Sequence, residues 1–195
     1  MRIIAGEAKG RRLFVPKMHG LRPTSDLVRE AIFQILTNRI PASWPEMRVL
    51  DLFAGTGALG LEALSRGAAG SVFVELSKTA VDAIGRNIDA CGFSSRAMVV
   101  KADAGQRSGA VAGLVRENGP FDIIMADPPY MEGLSQKCLK WVAQAEILSP
   151  CGLLMMEEFK KAELPHRIDS GHTVFFELAD IRTYGQTRIW FYKRG

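Results

Sequence analysis

Along the chain, short continuous apolar runs alternate with segments in which apolar residues recur every three or four positions. This pattern predicts strands separated by helices. Short apolar runs such as Val49–Phe53 and Phe121–Ala126 are typical of strands that are covered on both faces. In residues 77–91, by contrast, Val81, Ile84 and Ile88 recur at spacings of three and four and form one face of a helix. Repeated units of this kind predict a parallel sheet with helices on both faces.

The remaining elements follow from the same patterns. The predicted strands are 49–53, 71–75, 97–101, 121–126 and 153–157, and the predicted helices are 58–66, 77–91, 105–117 and 134–145. Thr24 or Ser25 can cap an earlier helix that runs to about Asn38. Residues 173–181 and 187–192 alternate around Tyr184-Gly185, which predicts a closing antiparallel hairpin. The fold class is therefore α/β and Rossmann-like, with a mostly parallel seven-stranded sheet.

The first thirty residues carry the whole net charge of the chain. They hold seven Lys or Arg against three Asp or Glu, whereas the other 165 residues hold 18 of each sign. Ile3, Ile4 and Leu13 lie among the basic residues and predict short ordered strands with a turn near Gly6–Gly10. The charge favours a polyanion-binding arm, although a solvated basic tail is the plain alternative. We expect residues 1–45 to form this basic β and helix extension, and residues 46–195 to form the catalytic domain.

Composition excludes several classes of protein. The chain has 47% hydrophobic and 24% charged residues, a composition typical of globular proteins. No apolar run reaches the ~18 residues that a membrane span needs. Arg2 and Glu7 bring charge too early for a signal peptide. Three widely spaced cysteines and three histidines predict neither a disulfide framework nor a zinc site. The cysteines favour a reducing cytoplasm and the histidines predict no metal site, whereas a single compact domain without an exposed heptad favours a monomer.

Residues 51–60 contain the G-x-G-x-x-G spacing between a strand and a helix. The glycines permit a tight turn and a close approach of the backbone to a ligand. Glu75 follows Gly55 by 20 residues, at the end of the second strand, where a carboxylate can hold the hydroxyls of a ribose. This pattern alone fits a nicotinamide cofactor and S-adenosylmethionine equally well.

The charge of the predicted site distinguishes between these two candidate cofactors. Asp51, Glu75, Asp103 and Asp127 each fall at or near the carboxyl end of one of the first four strands. Four carboxylates around one crevice repel a pyrophosphate and tolerate a ligand that carries a sulfonium and an ammonium group. Any one of these acids could instead cap a helix or belong to a loop. Together they favour S-adenosylmethionine, with Asp103 placed to accept a hydrogen bond from the adenine amine.

The sequence Asp127-Pro128-Pro129-Tyr130 follows the fourth strand. Two prolines stop the strand and prevent an immediate helix, so the backbone becomes a stiff platform. The platform presents a carboxylate, carbonyl groups and a phenol ring at the strand end, where open α/β sheets bind ligands. These groups suit a planar ring with an exocyclic amine, because the oxygens accept hydrogen bonds from the amine and the phenol stacks on the ring. The plain alternative is a Pro-Pro loop with a surface tyrosine.

These motifs, in this order and spacing, resemble the class I S-adenosylmethionine-dependent methyltransferases that modify exocyclic amines. The chain is most similar to the RsmD family, the bacterial enzymes that make N2-methylguanine in 16S ribosomal RNA of the small subunit. The resemblance covers essentially the whole chain. It includes the segments Arg2–Gly6, 9–13, 22–24 and 29–31 and the Tyr184-Gly185 turn.

The resemblance implies a role for each candidate residue. The implied catalytic residues are Asp127, Pro128, Pro129 and Tyr130. The implied cofactor-binding residues are Asp51, Phe53, Ala54, Gly55, Thr56, Gly57, Glu75, Leu76, Asp103, Ala104 and Asp127. The implied RNA-binding residues are Arg2, Lys9, Arg11, Arg12, Lys17, Arg22, Thr24 and Arg29, although Arg22 and Arg29 could equally serve the scaffold. The implied partner is ribosomal RNA, within the small subunit or an assembly intermediate.

Other functions stay open on the sequence alone. A DNA adenine-N6 methyltransferase can use the same platform, but such enzymes usually need a target-recognition segment for which the chain has no spare domain. In protein glutamine methyltransferases the related motif usually starts with Asn, and Asp127 counts against them. A non-catalytic RNA-binding or assembly protein could keep the fold. A nicotinamide-dependent oxidoreductase leaves Asp127–Tyr130 unexplained. The loop 131–135 could close over a base or be an ordinary strand–helix loop.

Overall fold

The computed structural model describes residues 1–16, 25–40, 42–106, 111, 113, 117–130, 133–169, 171 and 175–195. Within these ranges the strands are β1 (Arg48–Leu52), β2 (Gly70–Glu75), β3 (Ala97–Lys101), β4 (Phe121–Ala126), β5 (Leu148–Phe159), β6 (Arg167–Asp169), β7 (Phe175–Tyr184) and β8 (Thr187–Arg194). The helices are α1 (Asp26–Arg39), α2 (Ala58–Ser65), α3 (Lys78–Cys91) and α4 (Leu134–Ala145), with a 3₁₀ turn at Trp44–Glu46.

All the described strands join one sheet in the order β3-β2-β1-β4-β5-β8-β7-β6. Neighbours among β1 to β5 are parallel, and β8 runs antiparallel to β5 and to β7. The predicted fold class is confirmed, including the closing antiparallel hairpin of β7 and β8. Strand β6 was not predicted, because three residues are too few to show a period of two.

The central strands bury both faces, so consecutive residues contribute to two different core layers. Val49 in β1 and Ile123 in β4 pack on the side of α1, α2 and α3. Leu50 and Ile124, their chain neighbours, pack on the side of α4. This arrangement follows from the alternation of side chains along a strand and explains why the strands read as continuous apolar runs.

The helix boundaries follow local signals in the sequence. Ser25 caps α1 through a hydrogen bond from the Val28 amide, and Ser77 caps α3 in the same way through Ala80. Gly92 ends α3 with a left-handed backbone, φ +77°. Most of the helix predicted at 105–117 lies outside the described residues, as do Thr24 and residues 173–174 at the start of the predicted strand 173–181. None of the described helices is long and apolar enough to cross a membrane.

The basic arm is an ordered hairpin that packs against α2. The Ile3 amide donates to the Arg11 carbonyl at 3.0 Å, the Leu13 amide donates to the Met1 carbonyl at 3.2 Å, and the turn falls where it was predicted. Ile3 and Leu13 are buried in the same core layer as α1 and α2. Buried Glu62 of α2 accepts hydrogen bonds from the amides of Ile4 and Ala5 at 2.7 and 3.0 Å. The arm therefore has a fixed position against α2.

Candidate active site

The carboxyl ends of the central strands form the crevice in which the candidate residues meet. Strand β1 pairs with β2 on one side and with β4 on the other, so the loops after these three strands are neighbours. The chain order reverses between β1 and β4, which is the place where open α/β sheets bind ligands. Glu75 ends β2 and Asp127 follows β4, and Asp103 lies two residues beyond β3. The structure thus brings the predicted cofactor and catalytic segments together.

The glycines of the loop between β1 and α2 have different tasks. Gly55 has φ +56°, and a Cβ built on it would have its nearest neighbour at 3.9 Å, so the backbone there is open to a ligand. Gly57, with φ +77°, begins α2. A Cβ on Gly60 would lie 2.3 Å from Cε1 of Phe73, so this glycine allows α2 to pack closely on β2. Phe53 has a strained left-handed backbone, φ +59°, beside the predicted cofactor residues Ala54 and Thr56.

The carboxylates of Glu75 and Asp103 shape the loops around them. Glu75 Oε2 accepts from the Gly55 amide and Oε1 accepts from the Ser77 amide, both at 2.8 Å. Asp103 accepts from the Gly105 amide at 2.8 Å and from the Gln106 side chain at 2.9 Å. A carboxylate has about four acceptor sites, so these bonds leave capacity for ribose hydroxyls and an adenine amine.

Apolar groups complete the predicted cofactor pocket. Leu76 follows Glu75 and is 60% exposed, so its side chain can pack against a ligand ring. Ala104 is buried after β3, and its carbonyl accepts a hydrogen bond from Trp141 Nε1 of α4 at 2.8 Å. Helix α4 therefore fixes the loop that carries Asp103.

Asp51 differs from the other acids, because it lies beneath the loop. Only 1% of its surface is exposed, and its Oδ2 accepts from the Gly60 amide at 2.9 Å. Burial raises the pKa of Asp51 to about 8; the bond from Gly60 opposes the shift and the charge of Glu75 adds to it. The expectation of four charged carboxylates in the crevice therefore needs correction. Asp51 holds the glycine loop from below with a raised pKa, and Glu75, Asp103 and Asp127 remain as the acids at the strand ends.

Asp51 makes stability depend on pH. Its folded-state pKa is above the value of 3.8 for an exposed acid, so folding takes up a proton between pH 4 and about 8. We expect the free energy of unfolding to fall by up to ~1.4 kcal/mol per pH unit across that window. In Asp51→Asn, which cannot ionise but can still accept from Gly60, this fall should be absent. Urea denaturation at pH 5 and pH 8 measures the free energy of unfolding of the wild type and of Asp51→Asn. An equal change with pH in the two proteins would show that Asp51 does not cause the pH dependence.

The Asp127–Tyr130 platform leaves β4 at the centre of the crevice. The Asp127 amide donates to the Leu52 carbonyl at 3.4 Å, which keeps the motif beside the end of β1. Pro128 is buried and Pro129 is exposed, so the turn is anchored at one proline only. The Tyr130 ring centroid lies 6.2 Å from that of Phe159, with the planes tilted by 39°. The arrangement offers oxygen acceptors next to an aromatic wall.

The predicted RNA-binding residues fall into three groups. Lys9, Arg11 and Arg12 are exposed on the arm, and the Arg2 side chain is 67% exposed and contacts Asp26 at 3.3 Å. A second group lies outside the described residues and comprises Lys17, Arg22 and Thr24. The third contains Arg29 alone.

Arg29 is buried between α1 and the arm. It is 1% exposed, its Nη2 donates to the Arg2 carbonyl at 2.6 Å and to Asp26 at 2.8 Å, and desolvation lowers its pKa. Of the two roles open on the sequence, the structure supports the scaffold role. A direct phosphate contact by Arg29 is not possible without moving the arm.

Sequence reasoning did not single out several residues that support the site. Glu62 holds the arm, and its position as the one acid in the mostly apolar helix α2 was a usable signal. Buried Asn87 of α3 accepts a hydrogen bond from the Phe14 amide and donates one to the Phe14 carbonyl. It also donates to the Thr56 carbonyl at 2.9 Å. Glu157 and Thr187 contact the Tyr130 hydroxyl. The partners of Asn87, Glu157 and Thr187 are far apart in sequence, so no local pattern marks them.

The chain is similar to known proteins over most of its length. The family model described as conserved hypothetical protein 95 matches residues 1–193. The Bacillus subtilis protein YlbH, named as a candidate rRNA methyltransferase, is 36% identical over 194 residues, which are 100% of this chain and 99% of YlbH. Ribosomal RNA small subunit methyltransferase D of Escherichia coli K12 is 36% identical over 165 residues, or 85% of this chain and 78% of the relative.

The fold is also similar to solved structures. The structure of yhhF from Escherichia coli, described as a candidate methyltransferase, superposes with a TM-score of 0.79 at 31% identity. The match covers 100% of this chain and 97% of that structure. The likeness therefore extends from the arm to the closing hairpin.

Proposed function

Because the chain belongs to the family of conserved hypothetical protein 95, we propose that it methylates the exocyclic N2 amine of a guanine in 16S ribosomal RNA. Its similarity to rRNA methyltransferases supports the assignment of the protein as an rRNA methyltransferase. The choice of an amine rests on one observation: the Asp127–Tyr130 platform directly adjoins the end of β1 and the cofactor loop. The choice of guanine N2 comes from the family resemblance.

The methyl donor of the proposed reaction is S-adenosylmethionine, and the residues of the crevice support its binding. When bound, this cofactor supplies an electrophilic methyl group on a positively charged sulfur. Gly55 leaves the space that the ligand needs, and Glu75 and Asp103 are placed for the ribose and the adenine. Charged carboxylates at three strand ends suit a cation and repel a pyrophosphate.

An aromatic amine is a weak nucleophile, because its lone pair is delocalised into the ring. We infer that the Asp127 carboxylate and the Pro128 carbonyl accept its hydrogens and favour a pyramidal nitrogen whose lone pair is available. The Tyr130 ring would stack on the base and fix the line of approach. Alignment and electrostatics would then supply the rate enhancement without a covalent enzyme intermediate. The base has to leave its stack to reach this position.

The arm would bind the RNA backbone through its exposed basic face. Inward-facing Ile3 and Leu13 fix the hairpin, so Arg11 and Arg12 are held on its outer side. In this proposal residues 1–45 serve recognition and residues 46–195 serve catalysis. The substrate would be RNA within the small subunit or an assembly intermediate, and the protein would act as a cytoplasmic monomer.

Neutralising Arg11 and Arg12 together should weaken RNA binding. Each phosphate contact that is lost should lower the slope of log K against log salt by about 0.7–0.9, so we expect a change of about 1.5 in Arg11→Gln/Arg12→Gln. Affinity for S-adenosylhomocysteine should stay unchanged. Arg167→Gln/Arg182→Gln is the matched control, since it removes the same charge from half-exposed side chains in β6 and β7. Equal effects of both double variants would mean that the arm has no special role.

The proposed function is tested by methyl transfer from labelled S-adenosylmethionine. Unmethylated small ribosomal subunits, naked ribosomal RNA, duplex DNA and protein extract are offered in parallel, and the modified nucleoside is identified by mass. We expect N2-methylguanosine in the ribosomal samples, and the better of the two will show whether ribosomal proteins help to form the target. Label in N6-methyladenine of DNA, or in protein, would overturn the substrate assignment.

A further inference from the structure

The hydroxyl of Tyr130 is held by two residues from other strands. It lies 2.7 Å from Oε1 of Glu157, near the end of β5, and 3.1 Å from Oγ1 of Thr187, the first residue of β8. An ionised carboxylate can only accept, so the phenol proton points to Glu157. The phenol oxygen is then an acceptor, and Thr187 is the donor. Both hydrogen-bonding functions of the phenol are satisfied within the protein.

The carboxylate of Glu157 lies in a buried part of β5. Met155 and Met156 precede it in β5 and are fully buried apolar residues, and Glu157 is itself only 3% exposed. A buried carboxylate is costly unless it is well hydrogen-bonded. Its bond to Tyr130 therefore marks a constraint on the ring. Burial raises the pKa of Tyr130, opposed by the bond from Thr187 and aided by the charge of Glu157, so the phenol keeps its proton.

The next residue offers a comparison within the same strand. Glu158 is also 3% exposed, but consecutive strand residues point to opposite faces. Its Oε2 accepts from the Ser135 hydroxyl of α4 at 2.6 Å, and its Oε1 accepts from the Phe159 amide at 2.7 Å. Glu158 thus matches Glu157 in burial and in accepting from a hydroxyl, but its hydroxyl partner is Ser135 and that of Glu157 is Tyr130.

We propose that Glu157 and Thr187 are positioning residues that fix the tilt of the Tyr130 ring, against which the target base stacks. The inference rests on the proposed function of Tyr130. A tyrosine side chain has two main torsions, and holding its far end removes the swing that would change the stacking plane. Phe159 limits movement on one side, with its ring centroid 6.2 Å away. The closing hairpin, through Thr187, therefore takes part in the active site.

A double-mutant cycle tests this role. Tyr130→Phe keeps the ring and loses both bonds, and Glu157→Ala loses the acceptor. We expect each to lower the single-turnover rate by about tenfold at saturating cofactor, because a small misplacement of reacting groups is costly. The double variant should be no slower than either single variant. Glu157→Gln, which can still accept from the phenol, should restore most of the rate, and Thr187→Val should cause a smaller loss.

Glu158→Gln controls for the general effect of changing a buried glutamate. It should alter thermal stability without lowering the single-turnover rate. The proposal would be overturned if the losses of rate in Tyr130→Phe and Glu157→Ala multiplied in the double variant, or if Glu158→Gln lost as much rate as Glu157→Ala.

A second readout does not depend on the RNA substrate. The chain has three tyrosines, so labelling with 3-fluorotyrosine gives three ¹⁹F resonances that Tyr→Phe variants assign. Glu157→Ala should shift or broaden the Tyr130 resonance and leave that of Tyr192 unchanged, whereas Glu158→Gln should leave both unchanged. If the methylated product proves not to be a guanine, this spectrum still decides whether Glu157 holds Tyr130. An unchanged Tyr130 resonance in Glu157→Ala would refute the positioning role even in an active rRNA methyltransferase.

Discussion

Replacing Asp127 by alanine should lower the rate of methyl transfer by about 10²–10³-fold, the usual cost of removing one preorganised polar group from a reaction centre. The carboxylate is partly exposed at the end of β4, beside the platform prolines. Without it the substrate amine loses an acceptor for its hydrogens, and the lone pair stays in the ring. Single-turnover kinetics with saturating cofactor measure the loss directly. Affinity for S-adenosylhomocysteine, measured by calorimetry, should stay largely intact.

Two variants make the result specific. Asp127→Asn keeps an oxygen acceptor without the charge and should fall between the wild type and Asp127→Ala. Asp122, the acid within β4, lies at the opposite end of the strand and accepts from the Arg48 amide at 2.9 Å and from Ser149 at 2.8 Å. Asp122→Ala should therefore lower stability and leave the transfer rate of the folded protein unchanged. A near-normal rate in Asp127→Ala would remove Asp127 from the reaction centre.

The sequence predicted the parts of the fold and site that depend on local signals. Apolar runs and glycine spacing were enough for β1, β4 and the loop that contains Gly55, because a doubly covered strand and a tight turn each require particular residues in sequence. Two prolines after β4 were likewise enough to predict a break in the strand. The placement of candidate acids at strand ends followed from the parallel sheet.

Side-chain environments could not be predicted, since they depend on contacts between distant residues. Asp51 is buried under its own loop and Arg29 is buried under the arm. The sequence had placed them among the cofactor-binding and the RNA-binding residues, respectively. The partners of Tyr130 are 27 and 57 residues away along the chain. The apolar run in the sequence predicts that Glu157 lies in β5, but it does not predict which side chain Glu157 contacts. The predicted residue sets therefore included scaffold residues and omitted positioning ones.

Alanine at Gly6 should displace the turn of the arm from α2. Gly6 has φ +80°, and a Cβ there would lie 1.7 Å from the Ser65 carbonyl oxygen and 2.2 Å from its carbon, both backbone atoms that cannot move aside. The turn would have to lift and lose the bonds from the amides of Glu7 and Ala8 to Ser65, which are 2.8 and 3.0 Å long. We expect a loss of about 2–4 kcal/mol in the free energy of unfolding, typical of severe overpacking.

RNA binding should fall in the same variant, because the arm would no longer hold Arg11 and Arg12 in a fixed geometry. Gly10→Ala is the matched control: Gly10 has φ +83°, and a Cβ there would meet nothing within 4 Å. It carries only the left-handed backbone cost of about 1–2 kcal/mol. Comparing the two variants by urea denaturation, RNA affinity and amide exchange at Glu7 and Ala8 separates docking of the arm from backbone strain. Equal RNA affinity in both would mean that the arm binds RNA without docking on α2, so that its charge alone, and not its position, serves recognition.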